Sequence, residues 1–235
     1  MGYMGFYWDP TYILVLIGAG LCMLASAGVN MTFQKYSRYR SASGLNGAMT
    51  AERILALAGI TDVSVCHISG SLTDHYDPRT KTVNLSDAVY GSNSIAAVSV
   101  AAHECGHAIQ HAHAYFPLTF RSMLVPVANF GSTLAWPLII LGLFFSSSTG
   151  SVLLSIGIWA FGLSVLFQIV TLPVEFNASH RALVMLKDNR LVPAEEMPYS
   201  RKVLGAAAMT YVASAASGIL QMLRLILIAN GRRND

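Results

Sequence analysis

Long apolar runs separated by two polar stretches set the pattern of this chain. Residues 12–33, 124–145 and 152–172 contain no charged side chain, and each is long enough for a helix to cross about 30 Å of hydrocarbon. A fourth run, 204–229, is as long but is interrupted by Arg224. The second and third runs are joined by the Ser-rich stretch 146–151, which predicts a turn. Three or four membrane-spanning helices are therefore expected, the fourth run having less support than the others.

Between the first two runs the period changes. Residues 41–47, rich in Gly and Ser, predict a linker; Thr50 is placed to cap a helix over 51–58, with Gly59 at its end. Residues 63–68 alternate and are β-branched, which predicts a strand. Residues 72–76 and 81–85 flank Asp77-Pro78-Arg79-Thr80, with Asp first and Pro second as a type I turn prefers. A small antiparallel sheet follows from this. Ser92 to Ser94 can then cap a helix running from Ile95 to about residue 114, closed by Pro117. A further polar helix is expected over 173–203. The fold class predicted is an α+β membrane protein, mainly helical, forming one domain over 1–235.

Composition strengthens the membrane reading. Hydrophobic residues make up 54% and charged residues 11%, against about 25% charged in soluble domains. The net charge of +3 is small, and no nucleic-acid partner is expected. Its distribution says more than its size. Lys35, Arg38 and Arg40 follow the first run, and Arg181, Lys187, Arg190, Arg201 and Lys202 crowd the segment before the fourth. The residues before the first run and the stretch 146–151 carry no Lys or Arg, so the positive-inside rule puts both polar segments in the cytoplasm. Arg232 and Arg233 do not fit an outside C-terminus. Ala25-Ser26-Ala27 resembles a leader cleavage site, yet no Lys or Arg precedes the long first run, so a retained anchor is expected. Cys22, Cys66 and Cys105 are scattered and imply no disulfide framework.

The chemistry lies in His103-Glu104-Cys105-Gly106-His107, an H-E-x-x-H pattern. Four residues apart on a helix, the histidines share a face and can grip one metal ion, with Glu104 beside them as a general base for a water. Zinc is the expected ion, because it takes imidazole nitrogens and can keep an open position. Cys105 lies off that face and is expected to serve packing. A third protein ligand is needed. His113 has the spacing of a longer motif, but Gln110 stands where that motif needs Gly to turn the chain. His111 is a weaker choice still. Asp188-Asn189 is the nearest match to the Asp-Gly pair of intramembrane metalloproteases. Glu175, just past the third run, is favoured, since a carboxylate there is costly to desolvate unless paired or metal-bound.

Three stretches carry a resemblance: residues 99–110 around the motif, 74–81 around Asp77-Pro78, and 173–179 around Glu175. With them the chain resembles the YugP-like family of bacterial membrane proteins, described as neutral zinc metallopeptidases, and more distantly the gluzincins. That resemblance implies a multi-pass protein of the bacterial cell membrane. It implies Zn2+ held by His103, His107 and Glu175, with Glu104 as the base. It also implies that the strand around Thr82, Val83, Asn84 and Leu85 pairs with extended substrate. Many gluzincins carry an Asp four residues after the third ligand to orient a zinc-bound His; here that residue is Ser179.

The expected activity is a membrane-anchored zinc endopeptidase, acting on a protein or peptide on the cytoplasmic side of the bilayer. His180, Arg181 and Tyr211 are candidates by type for steadying the oxyanion. A non-catalytic scaffold with structural zinc is the main competing reading, and it leaves Glu104 without a use. A metal transporter would need ligands inside the spans, and the first three contain no His, Asp or Glu.

Overall fold

The computed structural model describes residues 9–145 and 148–234. The elements run α1 (Tyr12–Tyr36), α2 (Gly47–Leu57), β1 (Ser64–Ile68), β2 (His75–Asp77), β3 (Thr82–Ser86), α3 (Ile95–Ala112), α4 (Phe116–Phe144), α5 (Ser148–Asp188) and α6 (Met197–Asn234). Helices α1, α4, α5 and α6 are long and apolar enough to cross a membrane. The third expected span and the polar segment after it form one continuous helix of 41 residues, α5. Of the expected 146–151 turn, Ser146 and Ser147 lie outside the described residues, while Ser148 already begins α5.

The chain divides into two compact units, and the division falls within α1, α4, α5 and α6. One unit contains Met1–Leu24, Met123–Ile169 and Val212–Asp235. Its buried side chains are few, chiefly Ala135, Ile139, Leu154, Ile158 and Leu225. Large apolar side chains point outward instead, with Leu24 73% and Trp159 77% exposed, as suits helices whose solvent is lipid. Helix contact here relies on small residues: a Cβ on Gly142 would meet the Leu154 nitrogen at 2.5 Å. Arg224, the charge that interrupts the fourth run, is matched inside this unit. Its guanidinium lies 4.2 Å from the Tyr12 ring centroid and 3.5 Å from Asp9 Oδ2. A cation paired in this way is tolerated in an apolar helix.

The other unit contains Ala25–Ser122 and Val170–Tyr211. Its 41–47 stretch is tethered rather than free, because Ser41 Oγ and the Ala42 N–H donate to the Glu196 carboxylate at 2.7 and 2.9 Å. Asn46, not Thr50, caps α2, with its side chain accepting from the Met49 N–H at 2.8 Å. Thr50 lies one turn inside and is fully buried. Gly59, at φ +70°, follows the helix as expected.

The sheet is mixed, which corrects the antiparallel expectation. Its order is β1-β3-β2, with β1 parallel and β2 antiparallel to β3. Burial matches the order: Val83 and Leu85 are completely buried on the central strand, and the half-exposed β1 and β2 take the edges. Aspartates hold the connections. Asp74 accepts from the Ser86 N–H and hydroxyl, Asp77 from the Arg79 N–H, and Asp87 from His67 and the Gly70 N–H. These bonds hold the Asp77 and Asp87 carboxyls below their ordinary pKa, the first chiefly through the Arg79 N–H and the second chiefly through that of Gly70.

Ser94 caps α3 and accepts from the Ala97 N–H at 3.2 Å. The helix ends without help from Pro117. Ala114 takes a left-handed φ of 48°, and the Tyr115 and Ala114 N–H groups return to the Gln110 and His111 carbonyls, the pattern of a Schellman stop. Pro117 belongs instead to the first turn of α4, where its missing N–H costs nothing. Ala97, Val98, Ala101, Ala102 and Cys105 of α3 join Ile54, Val83, Leu85, Ala182 and Leu186 in one core. Each fully buried Leu, Ile or Val contributes about 1.5–3 kcal/mol.

Candidate metal centre

The site starts from the close approach of α3 and α5. A Cβ on Gly106 would lie 2.4 Å from the Ala178 carbonyl oxygen, so only Gly lets the two backbones meet here. On the opposite face, Cys105 is completely buried with its thiol toward the Ala51 carbonyl, and burial followed by the Glu104 charge pushes its pKa well above the ordinary thiol range. It is a packing residue. His103 and His107 stand on either side of Gly106, one helical turn apart, with ring centroids 4.8 Å from each other.

From α5, Glu175 enters this gap with its side chain only 3% exposed. Its Oε2 lies 3.3 Å from His103 Nε2 and 3.5 Å from His107 Nε2, and one donor atom from each residue falls within 4.8 Å of the others. The same Oε2 is buried without a hydrogen-bond partner. Bonds of about 2.0–2.1 Å to a tetrahedral zinc place neighbouring ligand atoms about 3.3–3.4 Å apart. The two separations fit that spacing, and an orphaned carboxylate oxygen facing two imidazole nitrogens fits a cation better than it fits nothing. Glu175 Oε1 faces Arg121 Nη1 of α4 at 3.6 Å.

The hydrogen bonds behind the histidines determine which nitrogen is free. Gln110 spends both amide protons, on the Val174 carbonyl at 2.7 Å and on Asn177 Oδ1 at 3.0 Å. Its Oε1 can therefore only accept, and it faces His107 Nδ1 at 3.0 Å. Nδ1 must carry the proton, which leaves the Nε2 lone pair toward Glu175. For His103 the partner is Ser179, with Oγ 3.1 Å from Nδ1. Burial opposes a proton on His107, but Glu175, Glu104 and Gln110 together raise its pKa above the ordinary value. The field that would hold a proton there also attracts a metal cation.

The other candidates are engaged elsewhere. His113 Nδ1 donates to its own helix at the Ile109 carbonyl, 2.8 Å away, and His111 Nδ1 meets the Tyr76 hydroxyl at 2.8 Å. Asp188 closes α5, thirteen residues beyond Glu175. Glu104 is 7% exposed and, with His103 and Tyr211, lines a cavity of about 160 Å³ whose walls include Phe33, Val100 and Val203. Of the three oxyanion candidates, Tyr211 alone lines this cavity. His180 is on an outward face of α5, and the Arg181 Nε–H donates to Asn177 at 2.8 Å. Thr82, Val83, Asn84 and Leu85 do not offer a free edge. They lie on the central strand, paired with β1 throughout and with β2 over Thr82–Asn84. Leu72 and Asp74, just before β2, are the sheet-side residues that reach the cavity.

Sequence reasoning passed over Gln110 and Arg121. In the sequence Gln110 stands out only as the residue that is not Gly; its full burial, three residues after His107, emerges only with the fold.

A membrane-associated protein with an H-E-x-x-H helix and a convergent His-His-Glu set suggests a metallopeptidase, and the comparisons agree on the class. The chain belongs to the family described as "Putative neutral zinc metallopeptidase", whose model matches residues 11–230. It is 44% identical over 220 residues to the "Putative membrane protease YugP" of Bacillus subtilis (strain 168), covering 93% of this chain and 96% of that protein. No solved structure matches.

Proposed function

We propose that this protein is a zinc-dependent endopeptidase whose active centre is the His103–His107–Glu175 cluster, with Glu104 as general base. The observation that carries the reading is the convergence of three donor atoms, one of them an unpartnered buried carboxylate oxygen, next to a buried Glu104 that lines an adjoining cavity. When bound, zinc supplies a Lewis acid that brings a water's pKa toward about 7 and polarises the scissile carbonyl. His103 and His107 hold it through Nε2, and Glu175 holds it through Oε2. Glu104 accepts a proton from the attacking water and returns it to the leaving amine as the C–N bond breaks. The Tyr211 hydroxyl donates to the oxyanion. Substrate lies extended along the Leu72–Asp74 side of the sheet rather than on β3, and the apolar walls around Phe33, Val100 and Val203 receive one of its side chains.

The active centre faces the cytoplasm. The basic residues after α1 and between the third and fourth apolar runs support that orientation, and a protein or peptide of the cytoplasm or inner membrane surface is then the substrate class. The test uses the full chain in detergent or nanodiscs, with β-casein and a quenched random-peptide library as probes. Cleavage should require one equivalent of zinc, disappear with a chelator and return with zinc. Cleavage that survives complete zinc removal would refute the proposal. Cysteine labelling from outside intact cells should reach the exposed position in Thr149→Cys and not Asn189→Cys; the reverse pattern would turn the site to the outside.

A further inference from the structure

A second cavity, of about 810 Å³, lies against the other face of the same α5 turn. Ser179 lines it, but Glu104, His107 and Glu175 do not. Its basic side chains are Lys35 from the last turn of α1, Arg201 and Lys202 from the start of α6, and the imidazole of His180 from α5. No acidic residue lines it, and Lys35, Arg201 and Lys202 form no ion pair among the described residues. The rest of the wall is apolar, with Phe176, Leu183 and Met209.

The position of these cations along their helices gives the cavity its meaning. Lys35 comes two residues after the first apolar run ends at Phe33, and Arg201 and Lys202 come just before the fourth begins at Leu204. Phe176 stands four residues past the end of the third run. The cations therefore gather where spanning helices leave the hydrocarbon, at headgroup depth, and the apolar wall continues toward the acyl chains. From this arrangement we infer a binding site for one anionic phospholipid, its phosphate among Lys35, Arg201 and Lys202 and an acyl chain against Phe176, Leu183 and Met209. A zwitterionic lipid brings a cation of its own into an already cationic rim. A free phosphate leaves the apolar wall without a partner. Basic pockets at the membrane surface select anionic headgroups, with each Lys or Arg adding about fivefold and three adding about a hundredfold. The inference goes beyond the peptidase reading and does not depend on zinc or on cleavage.

The test is native mass spectrometry of the full chain released from nanodiscs of equimolar phosphatidylglycerol and phosphatidylcholine. Wild type should retain one phosphatidylglycerol in preference to phosphatidylcholine. The combined variant Lys35→Gln, Arg201→Gln, Lys202→Gln should lose about a hundredfold of that preference, whereas Lys187→Gln with Arg190→Gln, which removes cations outside the cavity, should keep it. Met209→Trp fills the cavity with every charge in place and should lower retention at least tenfold, which guards against a triple variant that fails to insert. Equal retention of both lipids by wild type would overturn the site. So would an undiminished preference in the triple variant, or an equal loss in the Lys187 and Arg190 control. Thermal protection by inorganic phosphate or glycerol phosphate matching that of phosphatidylglycerol would overturn it as well, by showing an anion site without a lipid.

Discussion

Helices α3 and α5 bring their donors to one point by different means. Helix α3 has 18 residues, a serine cap at its start and most of its side chains buried, and its two histidines are related by the helical repeat alone. Helix α5 has 41 residues, begins as an apolar span and delivers Glu175 only after that run has ended. Half of the centre is thus encoded locally, in five consecutive residues. The other half depends on where two helices touch, and that contact rests on Gly106 against Ala178. Such a site should tolerate changes to its surroundings on α3 better than changes that move α5.

The largest effects should come from the donors themselves. Glu175→Ala should abolish stoichiometric zinc, and His103→Ala should do the same, while His113→Ala leaves zinc near wild type; metal content of the purified proteins decides this. Retained zinc in Glu175→Ala with loss in His113→Ala would replace the ligand set.

Separating the helices should have the next largest effect. Gly106→Val forces side-chain atoms into the Ala178 carbonyl, and overpacking of this kind costs about 1–3 kcal/mol. Zinc affinity should fall together with thermal stability, although no donor is changed. If affinity holds while the fold weakens, the helix contact does not position Glu175.

Smaller changes should come from the groups that orient the histidines. Gln110→Ala frees His107 Nδ1 and removes a tie from α3 to the Val174 carbonyl on α5, so zinc affinity should drop about 10–100-fold. Ser179→Ala, which removes a single 3.1 Å contact to His103, should cost less. A competitive titration with a zinc chelator ranks the two, and the opposite order would show that His103 is the more dependent ligand.

What was legible in the sequence follows the same division. The spans, the H-E-x-x-H helix and its capped start within 92–94 could be read because periodicity and capping are local. Glu175 could be read because a carboxylate at the edge of an apolar run needs a reason. The central place of β3 could not, since strand order depends on which face the core covers, and Val83 and Leu85 reveal that only once α3 packs on them. Asn46 displaced Thr50 as a cap for a similar reason: both have capping side chains, and the burial of Thr50 decides between them. Gln110 was hidden because its partners, Val174 and Asn177, are more than sixty residues away.

Glu104 separates catalysis from mere metal binding, so one comparison bears on the central proposal most directly. Zinc content and β-casein cleavage should be measured side by side for wild type and Glu104→Gln in the same nanodiscs. Zinc should stay at one equivalent, because the amide keeps the shape of the side chain and does not belong to the ligand set. Cleavage should fall by at least about a hundredfold, the lower end of what a positioned general base supplies. Full zinc with an undiminished rate in Glu104→Gln would contradict the account.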